Sequence, residues 1–349
     1  MRLNFKRLGD YIVPCDELND KEEVTLLRGV SNEKYFQACK SNTVNIDLSR
    51  YRICRTGWFA YNRATTRNGD KISIAYREGP DCLVSPSYKC FKVIDENKLH
   101  PKYLLLWFKR SEFDRYARFM SHGSAHEYFE YEQMCDVTLP IPSIEEQQKI
   151  VDAYNIIERR IAIKRQINDN LESQVEVLYN NIVRGKQPNS ILSTIATVET
   201  GKRPDSISKG DIPLVGAGGI MNFIDCFNYN SQILTMGRVG THGIIQRFED
   251  KCWVSDNSLV IKTKYYEYVY QFLKKVDYTI LNRGSTQPLI TQTDIKQLDI
   301  YLPSDNELNG FNRFSNAIMA GFSKNNYEIL KLVELQVSII NSISAQLSR

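Results

Sequence analysis

Residues 121–150 of the chain read SHGSAHEYFEYEQMCDVTLPIPSIEEQQKI. The stretch contains a Gly-Ser turn, a polar and aromatic segment, a strand-like ending in Leu-Pro, and a Glu-Glu-Gln typical of a helix start. Residues 283–308 repeat this order as RGSTQPLITQTDIKQLDIYLPSDNEL. Because duplicated units show themselves as self-similarity along the chain, the recurrence predicts an internal repeat.

The repeat is supported by short matching segments that occur in the same order in both copies. The matched pairs are Gly123-Ser124 with Gly284-Ser285, Leu139-Pro140 with Leu302-Pro303, residues 82–93 with 252–263, residues 7–12 with 192–204, and residues 57–69 with 232–243. The spacing of the matches differs between the copies, as insertions in the surface loops of a duplicated domain would produce.

After each copy the hydrophobic pattern changes to a heptad, in which apolar residues recur at alternating spacings of three and four. The pattern predicts two long helices, each with an apolar seam too narrow for a globular core and therefore in need of a partner. The seam positions are Ile150, Tyr154, Ile157, Ile161, Asn168, Leu171, Val175 and Leu178 in the first helix, and Ile318, Phe322, Asn325, Ile329, Leu332, Ile339 and Ile343 in the second.

The two helices are expected to pair with each other in antiparallel orientation, because a whole domain lies between them in the chain. Residues 145–183 would form a rod of about 58 Å at about 1.5 Å per residue. Asn168 and Asn325 interrupt the apolar seam, and polar residues in such seams can fix the register of a coiled coil. The alternative is that they only mark weak points of the seam.

A rod of this length between two similar domains suggests a reader of two separated DNA half-sites. One turn of B-DNA spans about 34 Å, so the tethered domains could sit one to two turns apart. Since the loops of the two copies differ, we expect the two half-sites to differ in sequence.

The composition is that of an ordinary folded protein, with 42% hydrophobic residues, 25% charged residues and a net charge of +4. This charge is too small to indicate a nucleic-acid partner by itself. The eight cysteines form no Cys-x-x-Cys pair and no zinc-finger spacing, which, without a signal peptide, favours reduced thiols in a cytoplasmic protein. No apolar run approaches the roughly 20 residues of a membrane span.

The sequence carries no recognised catalytic motif. It has no phosphate-binding GxxxxGK[ST] loop, no HExxH zinc motif and no [ND]PP[YF] tetrapeptide of an adenine methyltransferase. We therefore expect no catalytic residue, no metal site and no cofactor site in this chain.

Basic residues concentrate between Arg50 and Arg77, where seven Arg or Lys accompany a single acid, Asp70. Two interpretations are open: a solvated sheet face, or a surface that meets phosphates. The loop YNRATTRNGDK at residues 61–71 is the densest part of this run.

Base edges are read by side chains such as Arg on guanine or Asn on adenine, and phosphates by Lys, Arg and hydroxyls. We predict Arg63, Arg67 and Asn68 as base readers and Thr65, Thr66 and Lys71 as phosphate anchors, with Tyr61 and Asn62 in the same loop. The candidates in the second copy are Lys202, Arg203, Arg238, Thr241, His242, Arg283, Ser285 and Gln287. For each of them the alternative is an exposed loop residue without a role.

The chain resembles the specificity subunit of type I restriction-modification enzymes. The resemblance rests on the Gly-Ser turn, on LPIPSIEEQQKI at residues 139–150 leading into a long helix, on the second copy of that layout and on the heptads, and it covers essentially the whole chain. The second copy reads YLPSDNELNGF and lacks the Gln-Gln of the first. The resemblance therefore carries over the fold there, and not the detail of the second partner contact.

The resemblance implies an α/β (α+β) fold in which a pair of long antiparallel coiled-coil helices separates two similar target-recognition domains, with a pseudo-two-fold internal repeat. The implied divisions are a first recognition domain at 1–144, a central spacer helix at 145–186, a second recognition domain at 187–304 and a C-terminal helix at 305–349. The implied partners are double-stranded DNA, two methyltransferase subunits docked on the helices and, through them, restriction subunits. S-adenosylmethionine, ATP and Mg²⁺ would belong to those partners.

Two other functions are considered. A coiled-coil scaffold whose two ends bind proteins would fit the heptads equally well, and the basic loop less well. An autonomous DNA methyltransferase would need the catalytic tetrapeptide that the sequence lacks.

Overall fold

The computed structural model describes residues 5–39, 47–65, 71–122, 127–238, 243–281 and 289–345. Its contacts divide the chain into two compact units, one of residues 1–163 with 329–349 and the other of residues 164–328. Each unit therefore contains one copy of the repeat together with part of each long helix. The four functional domains proposed from the sequence stay a prediction.

The first copy of the repeat is built from ten strands and three short helices in its described residues. The strands are β1 (Phe5–Arg7), β2 (Ile12–Cys15), β3 (Arg28–Val30), β4 (Phe36–Ala38), β5 (Arg52–Cys54), β6 (Phe59–Asn62), β7 (Ile74–Tyr76), β8 (Cys82–Val84), β9 (Tyr88–Val93) and β10 (Thr138–Pro140). The helices are α1 (Pro101–Phe108), α2 (Ser111–Met120) and α3 (Tyr131–Cys135), and the long helix α4 (Ile144–Val183) follows.

The second copy has nine strands and two short helices in its described residues. The strands are β11 (Ser190–Ile191), β12 (Thr197–Thr200), β13 (Lys209–Gly216), β14 (Gly219–Ile224), β15 (Ile233–Gly237), β16 (Ile245–Phe248), β17 (Trp253–Val254), β18 (Ser258–Lys262) and β19 (Asp299–Ile300). The helices are α5 (Tyr266–Lys274) and α6 (Gln292–Lys296), and the long helix α7 (Asp305–Ala345) follows.

Each copy is centred on a four-stranded antiparallel sheet of the same topology. The strand order is β2-β9-β6-β7 in the first copy and β12-β18-β15-β16 in the second. The central strands pair in equivalent registers in the two sheets. Phe59 pairs with Phe91 in the first sheet, and Leu234 pairs with Ile261 in the second. The prediction of an α/β fold with an internal repeat is confirmed.

Apolar side chains from the sheet and from the following helix form the core of each copy. In the first, the Phe59 ring stacks on Phe91 with ring centroids 4.9 Å apart and meets the edge of Phe108 from α1 at 5.7 Å. In the second, Leu234 and Ile261 of the sheet pack in one cluster with Tyr268 of α5, and all three are buried. Burying side chains of this size supplies the main driving force for folding each copy.

Each copy also contains a two-stranded antiparallel ribbon, and comparing the two ribbons shows which residues of the two copies are equivalent. Lys6 pairs with Leu139 in the first ribbon, and Ser190 pairs with Ile300 in the second. The Tyr103 hydroxyl donates to the Pro140 carbonyl at 2.9 Å, as the Tyr268 hydroxyl does to the Tyr301 carbonyl at 2.5 Å.

The residues equivalent to Leu139-Pro140 are therefore Ile300-Tyr301, and the sequence match to Leu302-Pro303 is wrong by two residues.

Both long helices begin with the same N-terminal cap, whose serine lies three residues after Pro140 in the first copy and three residues after Tyr301 in the second. The Glu146 amide donates to the Ser143 hydroxyl at 3.3 Å, and the Glu307 amide to the Ser304 hydroxyl at 3.4 Å, while each glutamate reaches back to its serine. This reciprocal arrangement satisfies backbone donors that have no partner inside the helix.

The long helices run antiparallel to each other within each unit. In the unit of residues 164–328, Lys164 contacts Glu328 at 2.8 Å and Gly321 faces Leu171, so rising numbers on α4 meet falling numbers on α7. In the other unit, Val151 and Tyr154 of α4 share one buried cluster with Ile343 of α7.

Within the part of the chain that the structure describes, no helix is both long and apolar enough to span a bilayer.

Candidate nucleic-acid interface

Two arginines predicted to contact DNA, Arg63 and Arg238, occupy equivalent positions in the two copies. Arg63 follows β6, and Arg238 follows β15, the strand with the same place in the second sheet. Their carbonyl groups accept equivalent backbone hydrogen bonds, from the Phe129 amide at 2.8 Å and from the Ile290 amide at 3.0 Å. The duplicated scaffold thus delivers one arginine to the same edge of each copy.

The Arg63 side chain is held by an acid and an aromatic ring. Its Nη1 donates to Glu130 Oε1 at 2.7 Å, and its guanidinium carbon lies 4.5 Å from the centre of the Tyr128 ring. Glu130 also caps α3, because its backbone amide donates to Gln133 Oε1 at 2.6 Å. These contacts fix the direction of a guanidinium that stays one-third exposed.

In the second copy a neutral residue replaces the acid that holds Arg63. Thr291 caps α6 as Glu130 caps α3, so a neutral residue stands where the first copy has a carboxylate. Among the described residues, the buried Nε of Arg238 has no hydrogen-bond partner. The two arginines therefore share a backbone position and differ in charge environment.

Lys202 and Arg203, the other described candidates of the second copy, are exposed. Arg203 lines a cavity of about 680 Å³ together with Met221 and Asn257. Asn257 is also next to Arg238, because its carbonyl accepts the Arg238 amide at 3.0 Å. This part of the second copy brings Arg203 and Arg238 to neighbouring positions.

Two candidates of the first loop are wrong as DNA contacts, because they are buried. The Tyr61 side chain is fully enclosed and packs edge-on against Phe91 and Phe129, with ring centroids 6.2 Å away in each case. Burial also raises the pKa of the Tyr61 phenol. Thr65 is 3% exposed, and its hydroxyl donates to the Glu127 carbonyl at 3.2 Å.

Asn62 is half-buried and Lys71 is exposed, and both have partners in their own chain. The Asn62 side-chain oxygen accepts the Ala64 amide at 3.1 Å, which shapes the end of β6. Lys71 Nζ contacts Glu33 Oε1 at 2.7 Å. Both remain candidates as predicted.

The remaining candidates lie outside the described residues: Thr66, Arg67, Asn68, Thr241, His242, Arg283, Ser285 and Gln287.

Acids from elsewhere in the chain neutralise much of the basic run between Arg50 and Arg77. The pairs are Arg50 with Asp47, Arg52 with Asp16, Arg55 with Glu17 and Asp81, Arg63 with Glu130, and Lys71 with Glu33. Most of these acids are distant in sequence, so counting charges along the run overstated its positive potential.

The structure adds Arg118 and Tyr128 to the surroundings of Arg63. Arg118 Nη1 contacts Glu127 Oε2 at 2.5 Å and lies 3.4 Å from the Thr65 hydroxyl. Tyr128 belongs to the polar and aromatic part of the repeated stretch, which is the feature of the sequence that could have identified it.

Every predicted seam position of the helices is buried or half-buried. In the unit of residues 164–328, Asn325 Nδ2 donates to Asn168 Oδ1 at 2.9 Å, and Lys164 Nζ donates to Asn325 Oδ1 at 2.8 Å. Asn168 Nδ2 donates in turn to Asn326 Oδ1 at 2.8 Å. The polar centre of the seam is thus a connected hydrogen-bond network across α4 and α7.

Gln147 of the Gln-Gln pair is an internal residue and not a partner contact. Its side chain is fully buried, donates to the Lys98 and Pro142 carbonyls at 2.9 Å each, and accepts the His100 amide at 2.8 Å. Leu308 takes its place in the second copy and is buried too. The difference between the copies at this position concerns packing.

The described residues contain no group of three or more His, Cys, Asp or Glu side chains that could hold a metal ion. The chemistry that the arrangement offers is hydrogen bonding and charge pairing by arginine at one edge of each copy.

A family model for the type I restriction modification DNA specificity domain matches the chain twice, at residues 58–173 and 189–349. Since these matches cover most of the chain and fall on the two copies of the repeat, the chain belongs to this family. It is a specificity subunit of the type I restriction-modification class, a non-catalytic component concerned with DNA target recognition. The resemblance inferred from the sequence is confirmed.

One of the similar solved structures supports this fold. The S subunit of a type I restriction-modification system from M. genitalium is 13% identical, with a TM-score of 0.59 over 97% of this chain and 95% of that one. The HsdS subunit from Thermoanaerobacter tengcongensis is 14% identical, with a TM-score of 0.40 over 97% and 96%. A comparison with curated proteins gave no match.

Proposed function

We propose that this chain recognises a bipartite, asymmetric DNA target, with one half-site for each copy of the repeat. The observation that carries the proposal is the equivalence of Arg63 and Arg238. The same scaffold presents an arginine in both copies, held by Glu130 and Tyr128 in one, while in the other Thr291 replaces Glu130 and the Arg238 Nε has no hydrogen-bond partner among the described residues. Similar readers with different surroundings should bind half-sites of different sequence.

Arginine is suited to this role because its planar fork can donate two hydrogen bonds to one guanine edge in the major groove. Glu130 would orient the Arg63 fork and leave its other N–H groups for a base. Lys202 and Arg203, which are exposed, are proposed as phosphate contacts of the second copy. Asn62 and Lys71 keep the same proposed role in the first.

The helices are the proposed docking surface for methyltransferase subunits. Ile156 and Ile163 of α4 are 64% and 55% exposed and seven residues apart, so they form a second apolar stripe outside the helix pair. Leu330, Val333 and Val337 of α7 are exposed at helical spacing as well. Exposed apolar stripes of this kind mark surfaces that another protein covers.

Two methyltransferase subunits are proposed to dock there, and restriction subunits to join through them. S-adenosylmethionine, ATP and Mg²⁺ are proposed to bind those partners and not this chain. Such a complex would act in the cytoplasm, where the DNA is.

The test is sequencing of adenine methylation in cells that express this chain with the methyltransferase subunit encoded beside it. We expect a new bipartite motif that requires the chain. Arg63→Ala should relax one half of the motif and Arg238→Ala the other, because each removes one base reader. Lys98→Ala, an exposed lysine outside the candidate set, should leave the motif unchanged.

Methylation of an unaltered motif by both arginine variants would contradict their assignment. A soluble, assembled complex that methylates nothing would instead favour the scaffold, whose ends bind proteins. Binding to random duplex would separate the two, since phosphate contacts give affinity a steep salt dependence.

A further inference from the structure

The two copies carry equivalent clefts beside the long helices. The first-copy cleft, of about 270 Å³, is lined by Lys102 of α1 and Asn155 of α4. The second-copy cleft, of about 400 Å³, is lined by Glu267 of α5 and Asn316 of α7. Lys102 and Glu267 are the second residues of their helices, and Asn155 and Asn316 lie at the same distance from their helix starts. The clefts are therefore related by the repeat.

Arg77 gives the first-copy cleft a cation that forms no ion pair with the residues the structure describes. Its side chain is buried, its Nε donates to the Pro80 carbonyl at 2.6 Å, and its guanidinium lies 5.2 Å from the centre of the Phe36 ring. Among the described residues neither Nη atom has a hydrogen-bond partner. Arg77 is thus anchored through Nε, while the outer edge of its fork is open.

The acids around this cleft are already engaged by lysines. Glu78 contacts Lys102, and Glu158 lies 4.0 Å from Lys109. An added anion would therefore meet Arg77 as its partner. A carboxylate fits best, because its two oxygens match the two Nη donors, and a cavity of this size suits one side chain.

The second-copy cleft is lined by two acids, Glu249 and Glu267, of which Glu267 is ion-paired with Arg247. Glu267 is 2% exposed, and one of its oxygens accepts from Arg247 Nη2 at 3.0 Å. Its other oxygen has no hydrogen-bond partner among the described residues. Glu249 stands at the mouth, held by the Ser323 hydroxyl at 3.3 Å. No described lysine or arginine lines this cleft.

We infer that the two docking positions for the methyltransferase subunit differ in charge, and that the first copy takes a carboxylate side chain of the docked subunit on Arg77. The inference rests on the proposed function. Two identical subunits docked through equivalent clefts present the same carboxylate to Arg77 at one position and, at the other, to Glu249 with no described cation in the lining. Like charges repel at the second position, so the two subunits bind with unequal affinity.

The test is a titration of the full-length chain with its methyltransferase subunit, followed by native mass spectrometry and calorimetry. The wild-type chain should bind two copies in steps separated by at least about tenfold in dissociation constant. Arg77→Gln should weaken the tight step by about thirtyfold or more. Glu249→Gln should tighten the weak step, and Lys98→Gln should change neither.

Gly79→Ala tests the outer edge of the Arg77 guanidinium without removing its charge. The added Cβ would lie 3.1 Å from Arg77 Nη2 and would crowd a carboxylate bound there. It should weaken the tight step as well, which covers the case that Arg77→Gln does not fold.

Two equal steps in the wild type, or a tight step unaffected by both first-cleft variants, would overturn the inference while leaving docking intact. No binding of either copy by the wild-type chain would overturn the docking proposal and this inference with it.

Discussion

Glu267 is the side chain whose burial has the clearest consequence for pH. Burial raises its pKa to about 7, with Arg247 opposing the shift and Glu172 and Glu249 adding to it. In the unfolded chain the group would titrate near 4.5. The folded protein therefore binds the proton more tightly, so its stability falls as the pH rises from about 4.5 through 7.

Glu267→Gln should remove this dependence. A shift of this size corresponds to a loss on the order of 3 kcal/mol in the wild type across that range. The variant should thus gain in melting temperature relative to the wild type between pH 5 and pH 8. Glu23→Gln, at an exposed carboxylate of the first copy, is the control. A constant difference between Glu267→Gln and the wild type at all pH values would show that the carboxyl is not buried as described.

Single residues are where the sequence predicted least. Tyr61 stands in a loop-like polar run, but its register on β6 turns it into the core, because neighbouring strand residues face opposite sides. Arg63 and Arg55 look like free cations in the sequence, and acids up to 67 residues away hold them. Contacts between distant residues leave no periodic trace in a sequence.

The seam of the paired helices was predictable, because a heptad requires each seam position to face the partner. The pattern missed Val151, Tyr179 and Met319, which are buried as well. What the pattern could not give is the partner of each asparagine. Asn325 donates to Asn168, which donates to Asn326, so removing one amide leaves another without its partner.

Asn168→Leu should therefore lower the free energy of unfolding by about 1–3 kcal/mol, the cost of a buried polar group left unpaired. The double variant Asn168→Leu, Asn325→Leu should lose less than the sum of the single variants, because it removes both partners together. Denaturant unfolding followed by helical circular dichroism measures both. Additive losses would mean that the two amides do not act as a pair.

Gln147, at the start of α4, shows the same limit of prediction from the sequence. The motif around it identified the helix start and the family correctly. The motif could not show that Gln147 is buried, because its three backbone partners come from two other segments. A short motif predicts local structure well and tertiary neighbours poorly.

The complete chain is proposed to act as a ruler between half-sites, and helical geometry makes that testable. A matched insertion of three heptads in α4 and α7 lengthens the pair by about 31 Å at about 1.5 Å per residue. That is close to the 34–36 Å of one DNA turn, so the readers would meet the same face of the duplex again. Methylation should persist, with unchanged half-sites separated by about nine or ten more base pairs.

Removal of one matched heptad, residues 157–163 with 329–335, should have the opposite effect on methylation. It shortens the pair by about 10 Å, or about three base pairs, and three base pairs also rotate the duplex by about 100°. Seven residues make nearly two full helical turns, so the helix pair supplies almost none of that rotation. This variant should assemble and methylate poorly, and sequencing its methylated sites against those of the insertion variant measures the difference. Equal methylation by both variants, or a changed half-site in either, would exclude a rigid ruler.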